Sequence, residues 1–350
     1  MKSARITGPN RPLELENADN PSPQGPQVLV KVAATGVCHS DLHLWEGGYD
    51  LGDGTFMKVT DRGVKYPVTP GHEVSGEVYL TGEESGGYSA GEKVLVYPWV
   101  GCGSCPACRA SNENLCDTPR SLGVFQNGGY SDYLLVPHHK YLARLDGVDP
   151  ESATSLACSA LTAYTAIKKA NANSPENLVV IGAGGLGLMG VQIARAITDA
   201  TILCVDLDEK KLALARELGA HHTLVSGSED TADRIRAATG GLGADSVVDF
   251  VNATATAKMG IDILRKRGNL VLVGLFGGSL DISLVTIPLK SITIQGAYTG
   301  NYDDMVELIG LARRGVIKSV ISKRYPLEEA NAALEDLRHH KIMGRAVIRP

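Results

Sequence analysis

The pattern of apolar and polar residues divides the chain into two parts. Up to about residue 155, short β-branched runs at residues 28–32, 77–80, 93–97 and 133–136 alternate with turns rich in Gly and Pro. Short strands between turn signals predict an irregular, mainly β unit. The Pro-rich residues 20–27 pass directly into a strand-like run, so we interpret them as a loop rather than a linker.

From about residue 160, continuous apolar runs alternate with helical patterns. The predicted helices cover residues 186–198, 208–219, 228–239 and 254–267, and the predicted strands are NLVVIGA, ATILCVD, HHTLVS, ADSVVDFV, GNLVLVGL and SITIQGAY. Continuous apolar strands joined by helices are typical of a parallel sheet covered on both faces, which predicts a doubly wound α/β domain. The tail after residue 297 carries two helical patterns and a final strand, GRAVIRP, and we expect it to pack on the first unit.

Length and charge narrow the possible functions. A chain of 350 residues has room for about two domains. Its 34 basic and 39 acidic residues leave a formal charge of −5, and no basic run is present that would neutralise a series of phosphates. Nucleic acid and anionic membranes are therefore excluded as expected partners. Because no apolar stretch is long enough to span a bilayer and the N-terminus lacks a signal-like apolar segment, we expect a cytoplasmic protein.

A glycine motif, VVIGAGGLGLMG, lies between a predicted strand and a predicted helix. Gly182 allows a tight turn, Gly184 lets the backbone approach a pyrophosphate, and Gly187 brings the helix close to the strand. Asp206 ends the next strand, where a carboxylate accepts hydrogen bonds from an adenosine ribose and repels a 2′-phosphate. With no arginine following it, the motif favours NAD over NADP; the alternative is a turn without a ligand.

Four of the seven cysteines lie within fifteen residues, in GCGSCPACRASNENLC. Four thiolates close a tetrahedron around Zn²⁺ and leave no open position, so this pattern predicts a structural zinc site. An iron–sulfur cluster also uses four thiolates, but the spacing differs from the usual ferredoxin run. The predicted ligands of the structural zinc are Cys102, Cys105, Cys108 and Cys116.

A second set of potential metal ligands is dispersed along the chain. Cys38 lies in GVCHSDLH, His72 precedes Glu73 in PGHE, and Cys158 lies in LACSALTAY. Two thiolates and an imidazole with a vacant fourth position are what a catalytic zinc requires. Each residue alone is equally typical of a buried structural side chain, so spacing leaves both interpretations open.

Taken in order, GVCHSDLH, PGHE, the cysteine lobe, VVIGAGGLG and VDLDEKK resemble the zinc-dependent medium-chain alcohol dehydrogenases, most closely their prokaryotic and archaeal NAD-dependent tetrameric branch. The resemblance implies a GroES-like, mainly β catalytic domain from residues 1–157 and 298–350, with the structural zinc lobe at 99–118. It also implies a Rossmann NAD-binding domain at 158–297. A homotetramer or homodimer and a small alcohol or carbonyl substrate follow from the same resemblance.

Carried onto this chain, the resemblance gives each residue of the dispersed set a role. Cys38, His72 and Cys158 would hold a catalytic zinc, so that each chain binds two zinc ions and NAD. Glu73 would be an alternate ligand or a neighbouring carboxylate, and Asp41 would orient the His72 ring. Ser40 would receive the proton of the substrate, and His43 would end the relay that carries it to solvent.

The resemblance also implies further cofactor and substrate contacts. Each of these residues alone is just as typical of a solvated charge, a strand end or core packing. The expected contacts are Lys211 with the adenosine ribose, Arg345 and His39 with the pyrophosphate, Thr162, Gly274 and Leu275 around the nicotinamide, and Trp45 and Trp99 in the substrate pocket. Residues 47–66 form a long loop that we expect to border this pocket.

These observations predict a zinc-dependent oxidoreductase that interconverts primary or secondary alcohols with aldehydes or ketones by hydride transfer to NAD. Large apolar walls would favour bulky, aromatic or medium-chain alcohols. Alternatives are a polyol or amino-alcohol dehydrogenase of the same fold, against which Cys158 argues, and a zinc-free quinone reductase, which would lack both ligand sets. An alternative of another class is a non-catalytic NAD-binding redox sensor.

Overall fold

The computed structural model describes residues 1–350, and they form two compact units. Unit 1 contains Met1–Gly48, Lys58–Leu161 and Gly300–Pro350, and unit 2 contains Tyr49–Met57 and Thr162–Thr299. The predicted domain limits lie close to these, except that residues 49–57 group with unit 2. No helix is long and apolar enough to cross a membrane.

The secondary structure is numbered in chain order. The strands are β1 Lys2–Arg5, β2 Glu14–Asn17, β3 Val28–Gly36, β4 Gly48–Gly52, β5 Thr55–Lys58, β6 Glu73–Thr81, β7 Lys93–Val96, β8 Tyr133–Val136, β9 Leu142–Arg144, β10 Asn177–Ile181, β11 Thr201–Asp206, β12 His222–Val225, β13 Ala244–Asp249, β14 Leu264–Leu272, β15 Thr293–Gly296, β16 Ile321–Pro326 and β17 Arg345–Arg349. The α-helices are α1 His39–Glu46, α2 Pro106–Arg109, α3 Pro150–Ala153, α4 Ser159–Ala170, α5 Gly185–Ile197, α6 Glu209–Glu217, α7 Thr231–Ala238, α8 Thr254–Asp262, α9 Thr286–Lys290, α10 Tyr302–Arg313 and α11 Ala330–Arg338.

Unit 1 is built on a mainly antiparallel sheet with the order β16-β17-β3-β6-β7-β9, in which β8 also pairs with β3. The apolar start of β3 is fully buried, which explains its central place. In the register of the sheet, Gly36 lies opposite both Glu73 of β6 and Val347 of β17. The end of β3, the start of β6 and the last strand of the chain therefore meet, and this meeting point positions the metal-ligand candidates.

Unit 2 contains a six-stranded sheet with the order β12-β11-β10-β13-β14-β15, and all neighbours are parallel. Its core includes Val179, Val205, Val247 and Leu270, each almost completely buried. The prediction of a doubly wound parallel sheet together with a mainly β unit is confirmed. The carboxyl ends of β10 and β11, at the centre of the sheet, carry the glycine motif and Asp206.

Two predicted boundaries are wrong. The helix expected over residues 254–267 ends at Asp262, and β14 begins at Leu264, because Leu264 pairs with Ala244 and an irregularity in the register follows. Arg267, in the left-handed region with φ of 65°, lies within that irregular stretch. The second helical pattern of the tail, LEEANAALEDLRHH, predicts a helix from Leu327, but α11 begins at Ala330, since residues 327–329 form a 3-10 turn.

The long loop at residues 47–66 contains a β-hairpin of β4 and β5. Gly52, with φ of 85°, leaves no room for a side chain, because a Cβ there would lie 2.5 Å from the backbone nitrogen of Ser279. The Ser279 hydroxyl donates a hydrogen bond of 3.1 Å to Asp53 Oδ1. Within unit 2, the hairpin tip is thus held against the turn that follows β14.

Candidate metal centre and cofactor site

Cys38 lies between β3 and α1. It precedes the first residue of α1 with an extended backbone, and its N–H donates a hydrogen bond of 2.9 Å to Asp41 Oδ2. Gly47, with φ of 91°, ends the helix one residue after Glu46. This short helix therefore fixes the thiol of Cys38 and the side chains of its first turn in one place.

His72 reaches the same place from the segment before β6. Its ring is completely buried, and Nδ1 lies 3.4 Å from Asp41 Oδ1. The N–H of Gly71 donates to the same oxygen at 3.1 Å. Burial alone lowers the pKa of His72, but the neighbouring Asp41 carboxylate raises it well above the ordinary value. Asp41 thus occupies the position that holds a ligand imidazole in one orientation.

Cys158 completes the cluster from the turn before α4. One ligand atom from each of Cys38, His72 and Cys158 lies within 4.8 Å of the others, and all three residues are buried. Neither ring nitrogen of His72 makes a hydrogen bond, although both are inaccessible to water. A buried nitrogen without a hydrogen-bond partner, within 4.8 Å of two sulfurs, fits a zinc ligand set with an open fourth position.

The two thiols of this cluster differ in acidity. A hydrogen bond with Cys158 and the positive charge of Arg345 hold the pKa of Cys38 well below its usual value, against the opposing effect of burial. The pKa of Cys158 is raised by the same hydrogen bond and by burial. Cys38 is therefore the thiol that more readily provides the thiolate form required of a metal ligand.

Glu73 and Arg345 form a buried ion pair beside the cluster. Arg345 Nε donates to Glu73 Oε2 at 2.9 Å, and a second guanidinium nitrogen donates to Oε1. The N–H of Ser159 donates to Oε1 at 3.0 Å. The side chain of Arg345 is only 5% exposed. The structure thus gives Arg345 a partner that the sequence did not indicate, and its contact with a pyrophosphate stays a prediction.

The predicted proton-transfer residues lie on α1. The hydroxyl oxygen of Ser40 is 3.9 Å from the sulfur of Cys38, and His43 is half-buried one turn further along the helix. Burial lowers the pKa of His43 below its usual value. His39, at the start of α1, is exposed. Ser40 is therefore next to the metal cluster, and His43 is a neutral imidazole near pH 7.

The four cysteines of the lobe come together around α2. Their sulfurs all lie within 4.8 Å of one another. Backbone N–H groups point at these sulfurs, including those of Cys102 to Cys116 at 3.2 Å and of Cys105 to Cys102 at 3.3 Å. Hydrogen bonds from Ser104 lower the pKa of Cys102 to about 5. Four sulfurs with N–H donors fit a closed zinc site in which no position is left for a substrate.

The glycine motif in unit 2 has the geometry of an anion cradle. Gly182 has φ of 92°, and a Cβ on Gly187 would overlap the carbonyl oxygen of Gly182. A Cβ on Gly184, in contrast, would meet nothing within 4 Å, and no side chain caps the first turn of α5. Asp206 accepts hydrogen bonds from Ala183 N at 2.6 Å and from Asp208 N at 2.9 Å. The open space beside Gly184 fits a pyrophosphate at the helix N-terminus.

The remaining predicted cofactor residues also lie in unit 2. Lys211 is half-buried in the first turn of α6, and Thr162 is 7% exposed on α4. Gly274 packs so closely on the carbonyl of Val251 that no side chain would fit, whereas Leu275 is 44% exposed. The expected contacts of these residues with the ribose and the nicotinamide stay predictions.

Both tryptophans are buried, and both indole N–H groups have partners. Trp99 donates to Ala157 O at 3.1 Å, and its ring centroid is 5.5 Å from that of His72. Trp45 donates to Arg11 O at 2.6 Å, and the guanidinium of Arg338 lies 5.4 Å from its ring centre. Trp99 is therefore an apolar neighbour of the metal cluster, whereas the observed contacts of Trp45 are with the N-terminal segment and α11.

Sequence reasoning missed the importance of Gly36. A Cβ there would lie 3.0 Å from both Cβ and Cδ of Glu73 and even closer to Oε2. The absence of a side chain at Gly36 is thus what admits the Glu73 carboxylate. A glycine that ends an apolar strand indicates little by itself. Only the register with β6, which places Gly36 opposite Glu73, shows why a side chain is not tolerated there.

Comparison with known proteins gives matches over the whole chain. Residues 24–146 match the alcohol dehydrogenase GroES-like domain family, and residues 185–314 match the zinc-binding dehydrogenase family. The NAD-dependent alcohol dehydrogenases of Sulfurisphaera tokodaii and Saccharolobus solfataricus are 42% and 41% identical, each over 100% of both chains. The crystal structure of the alcohol dehydrogenase from Aeropyrum pernix is similar with a TM-score of 0.91 and 32% identity, covering 100% of both chains.

Proposed function

The chain belongs to the zinc-dependent medium-chain alcohol dehydrogenase family, and on that premise we propose that it interconverts primary or secondary alcohols with aldehydes or ketones, using NAD and two zinc ions. The observation that carries this proposal is the buried cluster of Cys38, His72 and Cys158, with its unpartnered imidazole nitrogens. A redox sensor without catalysis has no need of three metal donors with a vacant fourth position.

The protein's own side chains account for ligand binding and proton movement. Cys38, His72 and Cys158 would hold a zinc ion, which when bound would supply a Lewis acid for the alcohol oxygen, while NAD would be the hydride acceptor. The Ser40 hydroxyl, adjacent to Cys38, receives the alcohol proton. His43, neutral near pH 7 because burial lowers its pKa, accepts that proton at the end of the relay.

The cradle of unit 2 supports NAD rather than NADP. The Asp206 carboxylate is held in place by two backbone N–H groups, so its charge stays where a 2′-phosphate would have to bind. Lys211, close behind it in α6, would contact the adenosine ribose, and His39 and Arg345 would approach the pyrophosphate. Thr162, Gly274 and Leu275 would surround the nicotinamide.

The substrate class follows from the surroundings of the metal cluster. Trp99, 4% exposed and beside His72, provides a rigid apolar surface rather than hydrogen-bonding groups. A site of this kind favours bulky, aromatic or medium-chain alcohols over polyols. Trp45 would complete the apolar pocket.

We also propose that the protein is a cytoplasmic homotetramer or homodimer. The resemblance suggests the oligomer, and an exposed apolar stretch around α9 supports it. In that stretch Leu284 is 77%, Val285 61% and Leu289 71% exposed. Single apolar side chains are common on surfaces, but several exposed ones close together in the chain are typical of an interface. Light scattering after size-exclusion chromatography would distinguish the oligomers from a monomer.

Metal content and turnover measured together test the proposal. We expect two zinc ions per chain and chelator-sensitive formation of NADH over a panel of aliphatic, benzylic, cyclic and polyol alcohols. Cys38→Ser should abolish turnover and remove one zinc while NAD binding persists. Cys204→Ser is the matched control, because Cys204 is a buried cysteine outside both clusters. Full activity of Cys38→Ser, or no turnover of the wild type on any alcohol, would contradict the proposal.

A further inference from the structure

The carboxylate of Asp41 connects the segments that carry two of the metal-ligand candidates. Oδ2 accepts the N–H of Cys38 at 2.9 Å. Oδ1 accepts the N–H of Gly71 at 3.1 Å and lies 3.4 Å from Nδ1 of His72. Asp41 is 1% exposed, so water does not compete for these contacts. Each carboxylate oxygen can accept two hydrogen bonds. The contacts above occupy both positions on Oδ1 and one on Oδ2, so one position on Oδ2 remains.

Tyr130 fills that position from a third segment of the chain. Its hydroxyl donates a hydrogen bond of 3.3 Å to Asp41 Oδ2, and the residue is completely buried. The tyrosine ring lies against Gly71, where a Cβ would overlap it. The backbone of Tyr130 is fixed on both sides, since its N–H donates to Pro70 O at 3.0 Å and its carbonyl accepts the N–H of Ala4 at 2.8 Å.

We infer that Tyr130 is a positioning residue of the metal centre, whose hydroxyl fixes the rotation of the Asp41 carboxylate and thereby the orientation of the His72 ring. Backbone N–H groups already hold one hydrogen bond on each oxygen, and the Tyr130 hydroxyl adds a second donor to Oδ2, so the carboxylate turns about its Cβ–Cγ bond only by losing all of them. The ring of His72 makes no hydrogen bond, so its orientation depends on the ion-pair contact of 3.4 Å between Nδ1 and Asp41 Oδ1. The inference rests on the proposed function only in taking zinc as the ion at this cluster.

Core packing is the competing explanation, and the hydroxyl separates the two. A phenylalanine would fill the same volume against Gly71 and would preserve the packing. It would leave Oδ2 of Asp41 with one donor fewer inside the protein, where an unmet acceptor position is costly. The effect of Tyr130→Phe on metal binding therefore measures the positioning role alone.

The experiment compares Tyr130→Phe with Tyr97→Phe in the zinc-loaded enzyme. Tyr97 is the matched control, because it is also buried and its hydroxyl donates to a backbone carbonyl, Gly300 O, at 2.8 Å. A chelator that changes colour on binding zinc reports the release of each ion. We expect Tyr130→Phe to release the zinc of the Cys38 cluster about 3- to 10-fold faster than the wild type, with the lobe zinc unchanged. Cobalt bound at this cluster should show shifted visible absorption bands in Tyr130→Phe and unshifted bands in Tyr97→Phe.

Equal release rates in the two variants would overturn the inference, as would faster release of both zinc ions, which indicates general destabilisation. Asp41→Ala provides a second test. If Tyr130 acts through Asp41, Tyr130→Phe should have no further effect on zinc release in the Asp41→Ala background, and an additive effect would contradict the inference. Zinc release is measured without substrate. A wild type that turns over no alcohol would therefore refute the proposed function, whereas the zinc-release rates would still test the role of Tyr130.

Discussion

Replacing Gly36 by alanine tests whether the space at the end of β3 is reserved for Glu73. The new Cβ would lie 3.0 Å from Cβ and Cδ of Glu73 and closer still to Oε2, whereas ordinary contacts begin at 3.4 Å. The carboxylate would have to move, and the hydrogen bond of 2.9 Å from Arg345 Nε would be lost. Overpacking of a buried site costs about 1–3 kcal/mol, and breaking a buried ion pair costs about 3–5 kcal/mol.

A cost of about 3 kcal/mol is therefore expected for Gly36→Ala. For a unit of roughly 200 residues this lowers the unfolding temperature by about 6–12 °C. Gly8→Ala is the matched control in the same unit, because a Cβ there would meet only the Arg11 side chain at an ordinary 3.6 Å. The unfolding temperatures of the two zinc-loaded variants are measured by calorimetry at the same protein concentration. Unfolding temperatures within 2 °C of each other would refute the assigned packing of Glu73 on Gly36.

Three further predictions concern the cofactor, the lobe and the relay. Asp206→Ser should reduce the preference for NAD over NADP by about tenfold or more, because it removes the charge that repels a 2′-phosphate; an unchanged ratio of kcat/KM values would contradict the ribose contact. Cys105→Ser should remove one zinc and lower resistance to heat and chelators more than the initial rate, and a purely kinetic defect would refute a structural site. Burial lowers the pKa of His43 below 6.5, and only the neutral ring accepts a proton, so the rate of alcohol oxidation should decline only as the pH falls through a value below 6.5. His43→Gln should lower the rate about 10- to 100-fold, and its pH–rate profile should lack this decline.

The sequence predicted the elements that have a strong local pattern. The six strands of unit 2 are continuous apolar runs, and such runs have few alternatives to a covered parallel sheet. The candidate ligands Cys38, His72 and Cys158 were assigned through the family resemblance, because residue type and spacing alone were equally typical of buried structural side chains. Residue type did indicate the four cysteines of the lobe, which the fold brings within reach of one another.

Elements that depend on their neighbours were not predictable. The strand β16 carries lysine and arginine and has alternating exposure, and it forms because β17 pairs with it. Similarly, the sequence around Arg345 is typical of a surface charge, but the pairing of β17 with β3 places this residue beside Glu73, where it is buried. Pairings of this kind join residues far apart in the chain, and local propensity contains no information about them.

The Glu73–Arg345 pair also sets an order of events during synthesis. Its two members are separated by 272 residues, so at about 5–20 residues per second a ribosome needs roughly 15–50 s to pass from one to the other. All seven metal-ligand candidates, and after them the parallel strands β10 to β15 of unit 2, are translated before Arg345 emerges. Until Arg345 is translated, the nascent chain thus carries the Glu73 carboxylate without its cationic partner. Completion of the surroundings of the Cys38 centre is therefore a late event in synthesis, and a premature stop between Cys158 and β17 would leave that centre without the partner of Glu73 although all three of its ligands had been made.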